Sequence, residues 1–300
     1  MKIKSIFKIT LIITALSFMG YYLYTNLATI QQHEWEFDIK LLILSIGLLW
    51  FAMGSFTFMI GIIFNDLTGT KLGYFQIYRA FNIANIGRYL PGKVWSIIGL
   101  VYFTSEYGIS KKQASLSILA MEVSSKVSAI LLGLCYFLFS SSFENYMPIM
   151  LVFLICCLII IHPRLLDKVI NYGLRLIKKD EIKIDFGYSN IFKYLTGYLV
   201  VWLIHSLAFY VFVNSLTSLE SINIIQFFTI LPLCWVVGYI MIFAPGGIGV
   251  REGMLVIILG EFLPAEIALV IAVFQRIWFL TVEGINIVIS FAIPVKIKKE

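Results

Sequence analysis

Two short stretches put charges beside helix-breaking residues inside otherwise apolar surroundings. The first is GRYLPGKVW at 87–95, where Arg88 and Lys93 flank Pro91-Gly92. The second is FAPGGIGVRE at 243–252, where Arg251-Glu252 follows a turn built from Gly246, Gly247 and Gly249. Pro removes a backbone donor and Gly loosens a helix, so the polar groups freed there must face protein, water or a ligand. Half-helix N-termini at such breaks carry unpaired N–H groups and partial positive charge, which suits an anion. The chemistry expected of Arg88, Pro91, Gly92, Lys93, Gly246, Gly247, Gly249 and Arg251 is therefore anion binding.

Further charges lie within apolar runs. Arg79, Asn82, Asn85 and Arg88 recur every three residues, a polar stripe along one drifting helix face. Arg79 and Lys93 could also be anchors that snorkel to the interface. Glu122 and Lys126 are four apart in the favourable order for a same-face ion pair, either a brace or a relay. Arg276 and Glu283 are seven apart on one face of the last apolar run, where either could neutralise the first cluster. Charges at membrane depth cost a few kcal/mol each, about 2.5–3.5 on insertion scales. Arg79, Glu122, Lys126, Glu252, Arg276 and Glu283 are accordingly expected to balance charge around the site. Arg251-Glu252 has a second reading, a neutral ion pair bracing the turn.

The elements that must position these groups follow from composition. Of 300 residues 60% are hydrophobic and 13% charged, with a mean hydropathy of +0.92. A spanning helix needs about 20 mostly apolar residues, which predicts spans near 6–27, 39–64, 114–139, 147–162, 192–214, 222–244 and 266–294. Two apolar pieces, 75–103 and 250–263, are interrupted or short. The expectation is an all-α, polytopic transmembrane bundle of about eight spans in one membrane domain, 1–300. The first span follows Lys2, Lys4 and Lys8 without a convincing cleavage site and reads as uncleaved.

Lys and Arg concentrate at the N-terminus, in 163–193 and in the tail, whereas 28–38 holds Glu34, Glu36 and Asp38 with no Lys or Arg. The positive-inside rule then places both termini and the 163–193 loop in the cytoplasm of a multi-pass cell-membrane protein. The stretch LLDKVINYGLRLIKK within that loop fits an amphipathic helix on the inner leaflet. Net charge of +6 reads as topology and attraction to anionic headgroups, with no basic domain to hold nucleic acid. Parity makes 75–103 a re-entrant hairpin dipping in from the cytoplasm. For 222–263 charge leaves two full spans or a hairpin entering from outside, and the hairpin is preferred. Halves 1–145 and 146–300 would then be inverted copies. Paired Gly/Pro-interrupted segments in two halves point to a transporter site.

Other chemistry is weakly represented. Cys135, Cys156, Cys157 and Cys234 lie in apolar runs without metal-type spacing, and no Walker A motif or nucleophile-base set is present. No metal and no cofactor is expected. His205 in mid-span reads as hydrogen-bonded packing before acid/base chemistry.

GRYLPGKVW, Glu122 within AMEVSSKV, APGGIGVREG at 244–253, Arg276 and Glu283 together resemble the lysylphosphatidylglycerol synthase transmembrane-region family, over roughly 5–290. This is the flippase-like module found in the multiple peptide resistance factor and as stand-alone proteins. The resemblance implies an ATP-independent membrane protein, not an enzyme, that moves or binds lipids in envelope biogenesis. The lipid would be an anionic phospholipid, an aminoacylated lipid or a polyprenyl-phosphate-linked glycan. Two-part members carry a soluble aminoacyl-transferase domain after the membrane region; the sequence ends at Glu300, so the synthase activity itself is not expected. A homo-oligomer or envelope-biosynthesis enzymes are the expected protein partners. Two other readings stay open: a membrane enzyme acting on a lipid-linked sugar through Glu34, Asp38 or His205, and a non-transporting scaffold of an envelope biosynthetic complex.

Overall fold

The computed structural model describes residues 20–21, 24–90, 94–138, 148, 152, 187–219, 223–241, 247 and 249–294. All regular structure among these residues is helical: α1 Leu27–Gln32, α2 Ile39–Thr68, α3 Tyr74–Asn85, α4 Trp95–Ser105, α5 Lys111–Leu134, α6 Tyr188–Asn214, α7 Ile224–Ile240, α8 Val250–Leu259 and α9 Ala265–Ala292. Short 3₁₀ turns, Ile86–Tyr89 and Cys135–Leu138, extend α3 and α5. The chain is a polytopic helical membrane protein. Four stretches are long and apolar enough to cross a membrane, Ile39–Thr68, Lys111–Leu138, Tyr188–Asn214 and Ala265–Ala292. They match the expected spans 39–64, 114–139, 192–214 and 266–294 with somewhat different ends.

Local chemistry sets those ends. Asp38 caps α2 by accepting from the Lys40 and Leu41 amides at 2.8 and 3.2 Å, and Gly69 ends it at φ 68° with its N–H on the Asn65 carbonyl. Such caps satisfy helix-end groups that a membrane interior leaves without water. Ser110 and Gln113 form a capping box at the start of α5. α9 carries apolar side chains on its buried and its exposed faces: it buries Ile271, Trp278 and Val282 and exposes Ile277, Ile285, Val288 and Phe291. A helix apolar on every side faces both protein and lipid.

Within the expected span 222–244 the described helix is α7, Ile224–Ile240. Residues 224–240 form a helix of 17 residues, about 25 Å long, short of the roughly 30 Å hydrocarbon core. α8 packs against α7. Pro232 lies inside α7, and the Phe228 carbonyl that it leaves without a helix donor accepts instead from Ser206 Oγ at 2.7 Å. The close approach of α8 requires glycine. Gly247 has φ 72°, a Cβ on it would lie 3.2 Å from the Gly238 carbonyl oxygen, and a Cβ on Gly238 would lie 3.2 Å from Arg251 Cβ.

The segment 75–103 is likewise two short helices folded together. Ala84 faces Gly99, and Gly87 faces Trp95 and Ser96, a constant-sum register that makes α3 and α4 antiparallel. A Cβ on Gly87 would meet the Ser96 nitrogen and the Trp95 carbonyl carbon at 2.7 Å, so only a bare backbone fits at this crossing.

The two hairpins approach from opposite ends of the bundle. α2 and α9 run parallel, with Ser45 bonded to Trp278 and Asn286 to Met53. α6 runs antiparallel to α2: Asp38 and Glu36 amides donate to the Ser215 and Leu216 carbonyls at one end, and Asp66 takes Tyr194 and Lys193 at the other. The α3–α4 hairpin starts after the C-terminal end of α2. The α7–α8 hairpin starts where α6 ends, beside the N-terminus of α2. Both tips reach the middle of α9. The expected spans 6–27 and 147–162 and the amphipathic stretch 165–179 lie outside the described residues, apart from a few positions.

Candidate functional site

The hairpin tips meet around Phe279, near the midpoint of α9. Arg88, in the 3₁₀ turn that ends the first arm, forms an ion pair with Glu283 of α9. Tyr89 donates its hydroxyl to the same Glu283 oxygen and accepts from Arg88 Nη2 at 3.1 Å. Arg251, in the first turn of α8, lies with its guanidinium carbon 4.3 Å from the Trp235 ring centroid. Phe279 joins the two sides. Its ring centroid is 5.5 Å from the Arg88 guanidinium carbon and 5.4 Å from that of Arg251, so the two cations are no farther apart than the sum of these distances. Arginine over an aromatic face gains about 0.5–2 kcal/mol, more when desolvated.

Glu252 is fixed by its own helix. Its Oε2 accepts from the Gly249 amide at 2.7 Å, which places Glu at the third position of the helix where its charge also suits the dipole. Its Oε1 stands between two arginines, 3.7 Å from Arg251 and 3.6 Å from Arg276 of α9. Both contacts exceed hydrogen-bond length. Arg251 is 3% exposed and Glu252 5%. Arg251 Nε and Nη2, Glu252 Oε1 and Glu283 Oε1 have no hydrogen-bond partner among the described residues. Buried polar atoms are ordinarily paired.

A second polar group borders the α7–α8 tip. Lys126 Nζ is 2.9 Å from Glu122 Oε2, lies 4.4 Å from the Tyr239 ring centroid, and Tyr239 reaches the same Glu122 oxygen at 3.3 Å. The expected Glu122–Lys126 pair is therefore formed, neutral as a unit.

The structure brings together six of the expected residues, Arg88, Gly249, Arg251, Glu252, Arg276 and Glu283, with Gly247 supporting the turn. Pro91, Gly92, Lys93 and Gly246 lie outside the described residues. Arg79 lies on α3, and its Nε is buried without a hydrogen-bond partner among the described residues. Asn82 of that stripe is buried and donates to the Tyr78 carbonyl of its own helix. Sequence reasoning did not single out Phe279, Trp235 or Tyr239. Their signal was spacing alone, since Phe279 falls three residues after Arg276 and four before Glu283.

The other chemistry-bearing residues are engaged in structure. His205 is buried, with Nδ1 on the Val201 carbonyl at 3.2 Å and its ring against Trp202. Asp38 is a helix cap. Cys135 and Cys234 are free thiols, and no group of three metal-ligating side chains occurs among the described residues.

Long apolar helices packed as a bundle, with charged pairs between them, define a multi-pass helical membrane protein. Residues 5–282 match the family model described as the lysylphosphatidylglycerol synthase transmembrane region, and the chain belongs to that family. It is a family of membrane domains associated with lipid and envelope biogenesis. No curated protein and no solved structure matches the chain.

Proposed function

We propose that the protein is a flippase-like transporter that binds the negatively charged headgroup of a membrane lipid between the two hairpin tips. The observation that carries this reading is Arg251: buried, with two guanidinium nitrogens unbonded among the described residues, facing Arg88 across Phe279 at the midpoint of a helix long enough to span. On this reading the hairpins are re-entrant and the site lies at bilayer depth, where an unpaired cation is costly and a phosphate would satisfy it.

Exposed apolar side chains favour a lipid over a soluble anion. Leu280, 40% exposed, lies on the same stripe of α9 as Arg276 and Glu283, and Ile86 and Leu90 are exposed beside Arg88. A headgroup could rest on the arginines while its acyl chains lie along this apolar wall. Inverted hairpins closing on one site from opposite ends also suit alternating access, in which the tips part from α9 in turn. The enzyme reading has less support, because Asp38 caps α2 and His205 bonds within its own helix.

Native mass spectrometry of the protein released from gentle detergent tests the proposal. A phospholipid or polyprenyl-phosphate adduct should survive on the wild type and weaken about tenfold to a hundredfold in Arg251→Ala, the value of one charged hydrogen bond. A lipid adduct indifferent to Arg251→Ala in a well-folded variant would overturn it.

A further inference from the structure

α7 touches two charged groups through one stripe of its surface. Trp235 and Tyr239 are four residues apart on that helix, hence on one face. The Trp235 ring centroid is 4.3 Å from the Arg251 guanidinium carbon, and the Tyr239 centroid is 4.4 Å from Lys126 Nζ of α5. The Tyr239 hydroxyl also donates to Glu122 Oε2 at 3.3 Å, the oxygen that accepts from Lys126 at 2.9 Å. Tyr239 is thus held by both members of the pair. The other end of the α5–α7 interface is built differently. A Cβ on Gly133 of α5 would lie 2.9 Å from Leu233 Cα, so backbone presses on backbone there. This contact falls directly after Pro232, where α7 lacks one of its own hydrogen bonds. A helix with a fixed point at a proline and side-chain contacts at its end has the parts of a hinge and a catch.

The Glu122–Lys126 pair suits a catch better than a proton relay. A proton gained by Glu122 alone, or lost by Lys126 alone, would leave the pair charged near the middle of a helix long enough to span. Glu122 and Lys126 are each 28% exposed. Arg251 is buried beyond Gly238, where a Cβ would lie 3.2 Å from Arg251 Cβ. The α7 turn at 238–239 therefore stands between Arg251 and the more open pair. Resting on the transporter reading above, we propose that residues 234–240 form a gate that pivots at Pro232 and is latched by Tyr239 on Glu122 and Lys126. Its release opens the site between α5 and α7. Glu122, Lys126 and Tyr239 are positioning residues, acting through the helix and not on the ligand.

Val236 can report the gate, since it is buried on this arm with Ala129 of α5 and Trp202 of α6. Val236→Cys is placed in full-length protein whose four native cysteines are changed to serine. The rate of its reaction with N-ethylmaleimide in neutral detergent is read by intact-mass measurement. Tyr239→Phe keeps the ring and loses the hydroxyl, and should raise the rate about threefold to tenfold. Tyr239→Ala loses both and should raise it at least about tenfold. In a Glu122→Gln/Lys126→Met background the rate should already be raised. Tyr239→Ala should then add less than about twofold, because the three side chains act as one unit. Tyr194→Phe, which removes a like hydroxyl bond to Asp66 at 2.9 Å, should leave the rate unchanged. Unchanged labelling in folded Tyr239→Phe overturns the inference, and this arm stands should Tyr239→Ala fail to fold. Equal acceleration by Tyr194→Phe would mean general loosening, and full additivity in the double background would mean that Tyr239 acts without the pair. Either result overturns the inference. The assay contains no added lipid, so these failures leave the transporter reading intact. A lipid adduct indifferent to Arg251→Ala overturns that reading, and with it the gate's part in transport.

Discussion

Arg88 and Arg251 carry the same charge but stand in different states of satisfaction, and substitution should separate them. Arg88 is partly exposed and already neutralised by Glu283, so its removal strands a carboxylate that is buried. Breaking one side of such a pair leaves an uncompensated charge, whereas removing both charges can be close to neutral. Arg88→Ala should therefore lower stability by about 2 kcal/mol, and Arg88→Ala combined with Glu283→Gln should recover most of that loss. Thermal unfolding of the two proteins in one detergent checks the order; a double variant less stable than the single one would mean that the pair is not what holds the first tip on α9. Among the described residues Arg251 Nε and Nη2 have no hydrogen-bond partner and the Glu252 carboxylate lies at 3.7 Å, so Arg251→Ala should cost less stability than Arg88→Ala while weakening the lipid adduct about tenfold to a hundredfold.

At the scale of the elements, each hairpin depends on a place where backbone meets backbone. Gly87→Ala forces a methyl group against the Ser96 amide and Trp95 carbonyl carbon at 2.7 Å, and neither can rotate away. Overpacking of this kind costs about 1–3 kcal/mol, and it should also move Arg88 from Glu283 and reduce the lipid adduct. Gly253, inside α8 with open space around its Cα, is the control: Gly253→Ala should stabilise by about 0.5–1 kcal/mol, the helix-propensity difference. Parallel melts of the two variants test both signs. The positions of the two breaks were legible because Pro and clustered Gly interrupt apolar runs in only a few ways. Glu122–Lys126 was legible from its four-residue spacing, a contact within one helix. Which glutamate meets which arginine was not, since Arg276 reaches Glu252 on another helix and Arg88 reaches Glu283 across almost 200 positions of chain. Whether 222–263 holds two spans or a hairpin was not legible, because hydropathy counts apolar residues and is blind to where the chain turns. Phe279 and Trp235 stayed hidden because aromatic residues are common throughout this sequence, and only the fold selects those that lie under a guanidinium.

For the molecule as a whole, the arrangement that matters is the opposition of the hairpins. The parallel pairing of α2 with α9 and the antiparallel pairing of α2 with α6 put the 69–73 connection at one end of the bundle and the 260–264 connection at the other. Lys71 and Glu261 are exposed at those two connections. With α2 and α9 crossing a bilayer, the two connections would face opposite compartments, and the orientation expected from the positive-inside rule puts Lys71 on the cytoplasmic side. Cysteine placed at each position, in a protein whose four native cysteines are changed to serine, should then report opposite sidedness. Glu261→Cys should react with a membrane-impermeant maleimide in intact cells, and Lys71→Cys only after permeabilisation. Labelling of both from one side would mean that the hairpins do not oppose each other across the membrane. The arginines would then line a cavity open to a single surface, and a headgroup bound there would have no second exit.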